Sequence, residues 1–309
     1  HTVEASGSIP LRPTRTNPDL SGFFCFQATV AQPQHTPSGW SGKPHPLTRG
    51  TRTLHPAPPC TPTPARFERV DALRGAAMVW MTAFHFGFDL AHFGLWNQNF
   101  RLDPFWTLQR TAIVSLFLFC AGFSQAVAVH HGQDWTRFWK RWAQIAGCAV
   151  LVSGGSYAMF PTSFIYFGVL HGMAVMLIVA RLTAGWGPWL WLAGGVALGL
   201  PTLAAYALSH GWEAWAPWLN GRPLNWLGLV SRKPFTQDYV PVFPWLGVMW
   251  WGLACGQWVL ARRLHWIQRP MVGLFAPLAV LGRWSLSYYM LHQPVLIGGL
   301  MAWLWFAGR

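Results

Sequence analysis

The chain is poor in charge: only 10% of its 309 residues are Asp, Glu, Lys or Arg, and just nine of those are acidic. Soluble domains carry about 25% charged residues, so this chain cannot clothe a soluble surface of ordinary composition. With 52% hydrophobic residues, 22 Trp and 21 Phe, it reads as a membrane protein. Cysteine is scarce too. The five present form no CxxC pair and no His/Cys cluster at zinc spacing, so neither a disulfide framework nor a metal is expected. Cys120, Cys148 and Cys255 fall in apolar stretches and read as small fillers. The net charge of +13 argues for no nucleic-acid partner, because the basic residues are scattered through loops between apolar runs. No internal repeat is visible.

Residues 1–65 differ from everything after them. They are rich in Pro, Thr, Ser, Gly and Gln, lack any helical or strand period, and begin with His rather than Met. This stretch is expected to be a disordered or non-native tail, and 66–309 a membrane-embedded domain. In that domain the apolar runs predict an all-α bundle of about seven transmembrane spans, near 72–91, 107–129, 139–158, 164–180, 187–208, 241–261 and 285–306. Asp103-Pro104 has the cap-then-proline order of a helix start.

Basic residues set the expected orientation. Arg66, Arg69, Arg74, Arg137, Lys140, Arg141, Arg181, Arg262, Arg263, Arg269 and Arg283 flank one side of the spans. Arg101, Arg222, Arg232, Lys233 and Arg309 flank the other. The positive-inside rule then puts the N-terminus in the cytoplasm and the C-terminus outside.

The first span carries four polar residues, Arg74, His85, Asp89 and His92, through an apolar run. Eleven steps of 100° bring His85 back to within about 20° of Arg74, and Asp89 and His92 follow at i+4 and i+7. Ionisable groups at bilayer depth cost roughly 2.5–3.5 kcal/mol each on insertion scales and usually line a cavity or pathway. A neutral imidazole at His85 can take a proton from an attacking hydroxyl or amine, or accept an acyl group, with Asp89 fixing its tautomer. The plainer alternative is a His–Asp pair that satisfies itself between packed helices. Arg110, in the first outer turn of span two, is either Asp89's counter-ion or an anchor for an anionic group. Arg74 is either an interfacial snorkelling arginine or a ligand for a cytoplasmic donor's phosphate or carbonyl oxygens, and Arg283 on the same side joins it as a donor-binding candidate. His171, at the middle of span four, and His292, one residue before Gln293-Pro294, should face the bundle interior. The outer loop 209–240 offers Asn225, Arg232, Lys233 and Asp238, with Trp226, Tyr239 and Trp245 as stacking faces for a sugar.

The segments RVDALRGAAMVWMTAFHFGFDL, FLFCAGFSQ, FIYFGVLHGMAVMLIVARL, DYVPVFPWLGVMWWG and LGRWSLSYYMLHQPV resemble the bacterial heparan-alpha-glucosaminide N-acetyltransferase catalytic-domain family over 66–306. That resemblance implies acyl transfer, with acetyl-CoA or another acyl-CoA as co-substrate and an acceptor across the membrane. Related membrane acyltransferases share an Arg, ten residues, then His, the spacing of Arg74 and His85. The resemblance places Arg74 by the donor and His85 near the transfer point. In the lysosomal enzyme the catalytic His instead precedes a Trp-Asn pair, which His92 before Trp96-Asn97 resembles, so the base is either His85 or His92.

Bacteria mostly lack heparan sulfate, so the expected acceptor is a cell-envelope glycan or glycolipid, and the expected location is a bacterial inner membrane. A homo-oligomer is left open. The rival reading is a proton-coupled transporter using the same His and Asp residues as a relay.

Overall fold

Aspartates start two of the helices, one of them at the Asp103-Pro104 pair that the sequence marks. Asp103 accepts from the Phe105 N–H at 2.8 Å with Pro104 as the first helical residue, and Asp134 accepts from the Arg137 N–H at 3.1 Å. Each satisfies a donor that the first helical turn leaves free. The computed structural model describes residues 67–268 and 273–308, and these are helical with no strand among them. The tail at 1–65, with Arg66, Arg269 and Arg309 of the charge count, lies outside the described residues.

The helices are α1 (Glu68–His92), α2 (Pro104–His130), α3 (Trp135–Met159), α4 (Val169–Leu182) and α5 (Trp189–Ser209). They continue as α6 (Ala216–Asn220), α7 (Val242–Arg262), α8 (Leu264–Gln268), α9 (Ala276–Arg283) and α10 (Ser285–Phe306). Helices stand at all seven places where a span was expected. Only α2 and α5, however, are both long and apolar enough to cross a membrane by length and composition. The rest carry charge, or Trp, Tyr and Pro that depress mean hydropathy, or are short.

Span four begins later than expected. Residues 163–168 are held by backbone pairing with 236–240: Gln237 N–H donates to Ser163 at 2.9 Å and Val240 N–H to Phe167 at 3.2 Å. A parallel bridge joins Phe167 and Tyr239. That leaves α4 with 14 residues, about 21 Å of helix.

Glycine sets how closely the long helices approach. A Cβ on Gly122 of α2 would overlap the Met249 carbonyl of α7, and one on Gly252 of α7 would overlap the Phe119 carbonyl of α2. Gly247 and Gly194 make the same kind of approach between α7 and α5. Gly75 of α1 and Gly282 of α9 bury themselves against each other's neighbouring carbonyls, Leu278 and Asp71. Small residues at such crossings let helix backbones approach closely.

The bundle has two chemically different ends. At one, Phe67 stacks on His131 at 5.8 Å, Arg283 pairs with Glu68 at 3.0 Å, and Arg181 donates to the Gln133 carbonyl. At the other, the His92 ring meets Phe160 at 6.1 Å and Arg222 lies over Tyr166 at 5.8 Å.

Candidate active site

α1 and α10 meet through three polar rungs. Thr82 Oγ1 and the Tyr288 hydroxyl share a hydrogen bond of 2.6 Å. The His85 and His292 rings face each other with centroids 5.2 Å apart. Gln293 Nε2 donates to Asp89 Oδ1 at 2.8 Å. Positions 82, 85 and 89 lie one helical turn apart, as do 288 and 292, so one face of each helix carries the whole set.

His292 is held in one tautomer. Its Nδ1 lies 2.7 Å from the Tyr289 carbonyl, which can only accept, so Nδ1 carries the hydrogen. Nε2 of the neutral ring is then a bare lone pair, buried and without a protein partner. Asp89 Oδ2 and Gln293 Oε1 are buried and unpartnered in the same way. Three such atoms in one place are unusual, since each unmet buried group costs about 1–3 kcal/mol. They give the site accepting capacity for a hydroxyl or amine.

His85 is half-buried, and its ring nitrogens make no hydrogen bond among the described residues. The expectation that Asp89 fixes its tautomer is therefore corrected. Both side chains project toward α10 rather than toward each other, and Asp89 is met there by Gln293. Arg110 is likewise not the counter-ion of Asp89. Its charge acts instead on Asp238 and Lys233.

His92, the last residue of α1, is exposed beside a cleft of about 350 Å³ lined also by Phe88, Asn97, Gln98, Asn99, Phe100 and Arg101. Arg74 is committed within the protein: it donates to Asp71 at 2.9 Å, the Gly282 carbonyl at 3.3 Å and Ser124 Oγ at 2.6 Å. Arg283 is committed to Glu68. Both guanidiniums thus tie α1 to its neighbours, where donor binding was expected. Among the described residues Arg69 has no such partner, and it lines a mostly apolar cavity of about 170 Å³ with Val70, Leu73, Phe119, Cys120 and Phe123.

His171 sits in the first turn of α4, not at a mid-span position. Its Nδ1 accepts from the Gly168 N–H at 3.3 Å, which leaves Nε2–H to donate to Ser153 Oγ at 3.0 Å. Both nitrogens are used, so His171 ties α4 to α3. Asp238 reaches the same helix start and accepts from the Val169 N–H at 2.8 Å. Burial holds its carboxyl above the ordinary carboxylate range, against the pull of Val169, Arg110 and Lys233. Burial and then the like charge of Arg110 lower the Lys233 ammonium.

Comparison with known families matches residues 66–294 to the one described as heparan-alpha-glucosaminide N-acetyltransferase, catalytic. The match takes in α1 and the first half of α10, and hence every rung of the α1–α10 contact. The chain belongs to this N-acetyltransferase family. No curated protein and no solved structure matches it. Within the family stretch, sequence reasoning missed Thr82, Tyr288, Gln293, Ser124 and Ser153. Only Gln293 carried a signal, as the neighbour of His292 ahead of Pro294.

Proposed function

We propose that this family member is an integral membrane acyltransferase that moves an acetyl group from acetyl-CoA to a sugar amine or hydroxyl. The observation that carries this reading is the His85–His292 pair, with the Nε2 lone pair of His292 bare, inside the stretch matched to the acetyltransferase family. In the step proposed, the acceptor N–H or O–H gives its proton to an imidazole as its nitrogen or oxygen attacks the thioester carbonyl. The C–S bond breaks, and the coenzyme A thiolate leaves and takes up the proton. His85 serves as base or transient acyl acceptor, with His292 completing its environment and Asp89, held by Gln293, receiving acceptor hydrogen bonds. His85 is preferred to His92 because it lies among the unpartnered buried atoms, whereas His92 is exposed at the cleft.

A membrane setting is supported by apolar side chains that face outward: Val150 is 69% exposed, Leu203 64%, Val295 67% and Trp305 73%. These belong to α3, α5 and α10, and such faces suit lipid. The reading takes the six helices of 21 to 27 residues, together with the shorter α4, as seven spans, with the arginine-rich end cytoplasmic and the His92 end outside. The donor then enters from the end holding Arg74, where Arg69 is placed to meet a phosphate. The acceptor is a cell-envelope glycan or glycolipid of a bacterial inner membrane. Family membership favours transfer over a proton-coupled transporter using the same residues.

The test is covalent transfer. Purified protein in nanodiscs with acetyl-labelled CoA should place label on an amino sugar, and His85→Ala should abolish it while leaving the fold intact. Label that stays on CoA with every amino-sugar acceptor offered would overturn the reading.

A further inference from the structure

A cavity of about 170 Å³ opens between α1, α2 and α8 at the end of the bundle where α1 begins. Val70, Leu73, Phe119, Cys120, Phe123 and Ile267 line it, and Arg69 is its one charged wall. Arg69 is exposed and makes no hydrogen bond or ion pair among the described residues. The nearest acids in sequence, Glu68 and Asp71, are paired with Arg283 and Arg74. Cys120, Phe123 and Ile267 form a buried floor, whereas Leu73 is 41% exposed. The cavity therefore has one wall on the lateral surface of the bundle and a guanidinium at its rim.

The order of these groups matches an amphiphile lying in a bilayer. Arg69 is the second residue of α1, and Leu73 lies about 6 Å further along the helix axis. With the arginine-rich end cytoplasmic, the charge stands at headgroup level and the apolar walls lead inward. α8, which supplies Ile267, packs on α1 directly after the consecutive basic residues Arg262 and Arg263. The Arg263 guanidinium lies over the exposed Trp266 ring at 5.4 Å, a pairing suited to the membrane interface. Apolar walls also select the kind of phosphate that Arg69 meets. The pantetheine arm of coenzyme A carries amides and a hydroxyl, which these walls leave without partners, whereas an acyl chain needs none.

We infer that this cavity is a binding site for an anionic glycerophospholipid, with its phosphate on Arg69 and an acyl chain entering beneath it along Leu73 and Phe123. The site and its leaflet, the cytoplasmic one, rest on the membrane reading and orientation proposed for the bundle; neither rests on acyl transfer. The donor enters at the same end but is not what the cavity holds. Arginine's planar fork matches phosphate oxygens. Arg262 and Arg263 add a field that favours a headgroup of net negative charge over a zwitterion.

Lipid binding is measured by native mass spectrometry of the full chain in a neutral detergent. The probes are phosphatidylglycerol and phosphatidylcholine with the same acyl chains, the chain-free headgroup glycerophosphoglycerol, and coenzyme A. One phosphatidylglycerol should be retained about fivefold or more tighter than phosphatidylcholine, the worth of one basic residue at an anionic surface. Neither glycerophosphoglycerol nor coenzyme A should displace it. Arg69→Gln should erase the preference for the anionic lipid. Leu73→Trp, which fills the cavity from its exposed wall, should weaken retention of the lipid itself. Equal retention of the two lipids would overturn the site, as would a preference that survives Arg69→Gln or binding unchanged in Leu73→Trp. Displacement by the bare headgroup would reduce it to a phosphate site, and displacement by coenzyme A would give the cavity to the donor; either result overturns the inference. A chain that stays monodisperse without detergent would sink the membrane reading and this site with it. A micelle-held chain that binds both lipids equally would sink this site alone.

Discussion

His85 and His292 differ in how firmly each ring is held. The Tyr289 carbonyl fixes His292, whereas His85 depends on ring contacts with His292 and Phe84. A base that must change partner as a proton moves suits the looser setting, and a fixed neighbour limits where it can turn. Gln293 has a different task, since it supplies the only protein hydrogen bond to the Asp89 carboxylate among the described residues. Gln293→Leu should leave both Asp89 oxygens unmet and cost about 1–3 kcal/mol, read as a lower unfolding midpoint in detergent. An unchanged midpoint would mean that Asp89 finds another partner. Asp238 gives a pH signature in the loop ahead of α7. Its carboxyl is raised above the ordinary value of 3.8, so the fold favours the protonated form. The stability that this contributes is full below the ordinary value and is lost as pH rises through the raised one. Asp238→Asn keeps an oxygen for the Val169 N–H and removes the titration. Its unfolding midpoint should therefore stay level where the parent's declines, and parallel profiles would contradict the assignment.

At the scale of elements, the glycines of α2 and α7 decide the packing. Gly252→Leu places a branched side chain against the Phe119 carbonyl, and overpacking of this kind costs about 1–3 kcal/mol or more. Thermal unfolding should show the loss, and Gly147→Leu, where no atom stands within 4 Å of a built Cβ, should show none. The sequence made the long helices legible because apolar length and capping residues are local signals, as at Asp103-Pro104. It did not reveal that α4 starts at Val169, since that boundary is imposed by pairing between 163–168 and 236–240. The same limit applied to the site. The stripe of Arg74, His85 and Asp89 could be found by counting turns on one helix. Its partners could not: Ser124 meets Arg74 from fifty residues away and Gln293 meets Asp89 from 204. An isolated Ser or Gln in an apolar helix says nothing until its neighbour is known, and so counting turns left Arg74 as a snorkelling arginine or a donor ligand without revealing that it ties α1 to α2 and α9.

For the whole molecule, the two ends predict a sidedness. With the arginine-rich end cytoplasmic, single cysteines placed at residues 97–99 and in 211–221 should react with an impermeant maleimide on intact cells. Those at 131–134 should react only after permeabilisation. The reverse pattern would invert the proposed donor and acceptor sides. Acceptor-dependent release of free coenzyme A in nanodiscs tests most directly the proposed transfer of acetyl from coenzyme A to a sugar at His85. Release by the parent is expected, with a fall of about 10²–10⁴-fold in a folded His85→Ala variant and a much smaller fall in His92→Ala. Release that persists in His85→Ala and vanishes in His92→Ala would move the base to the cleft and contradict the site described at the α1–α10 contact.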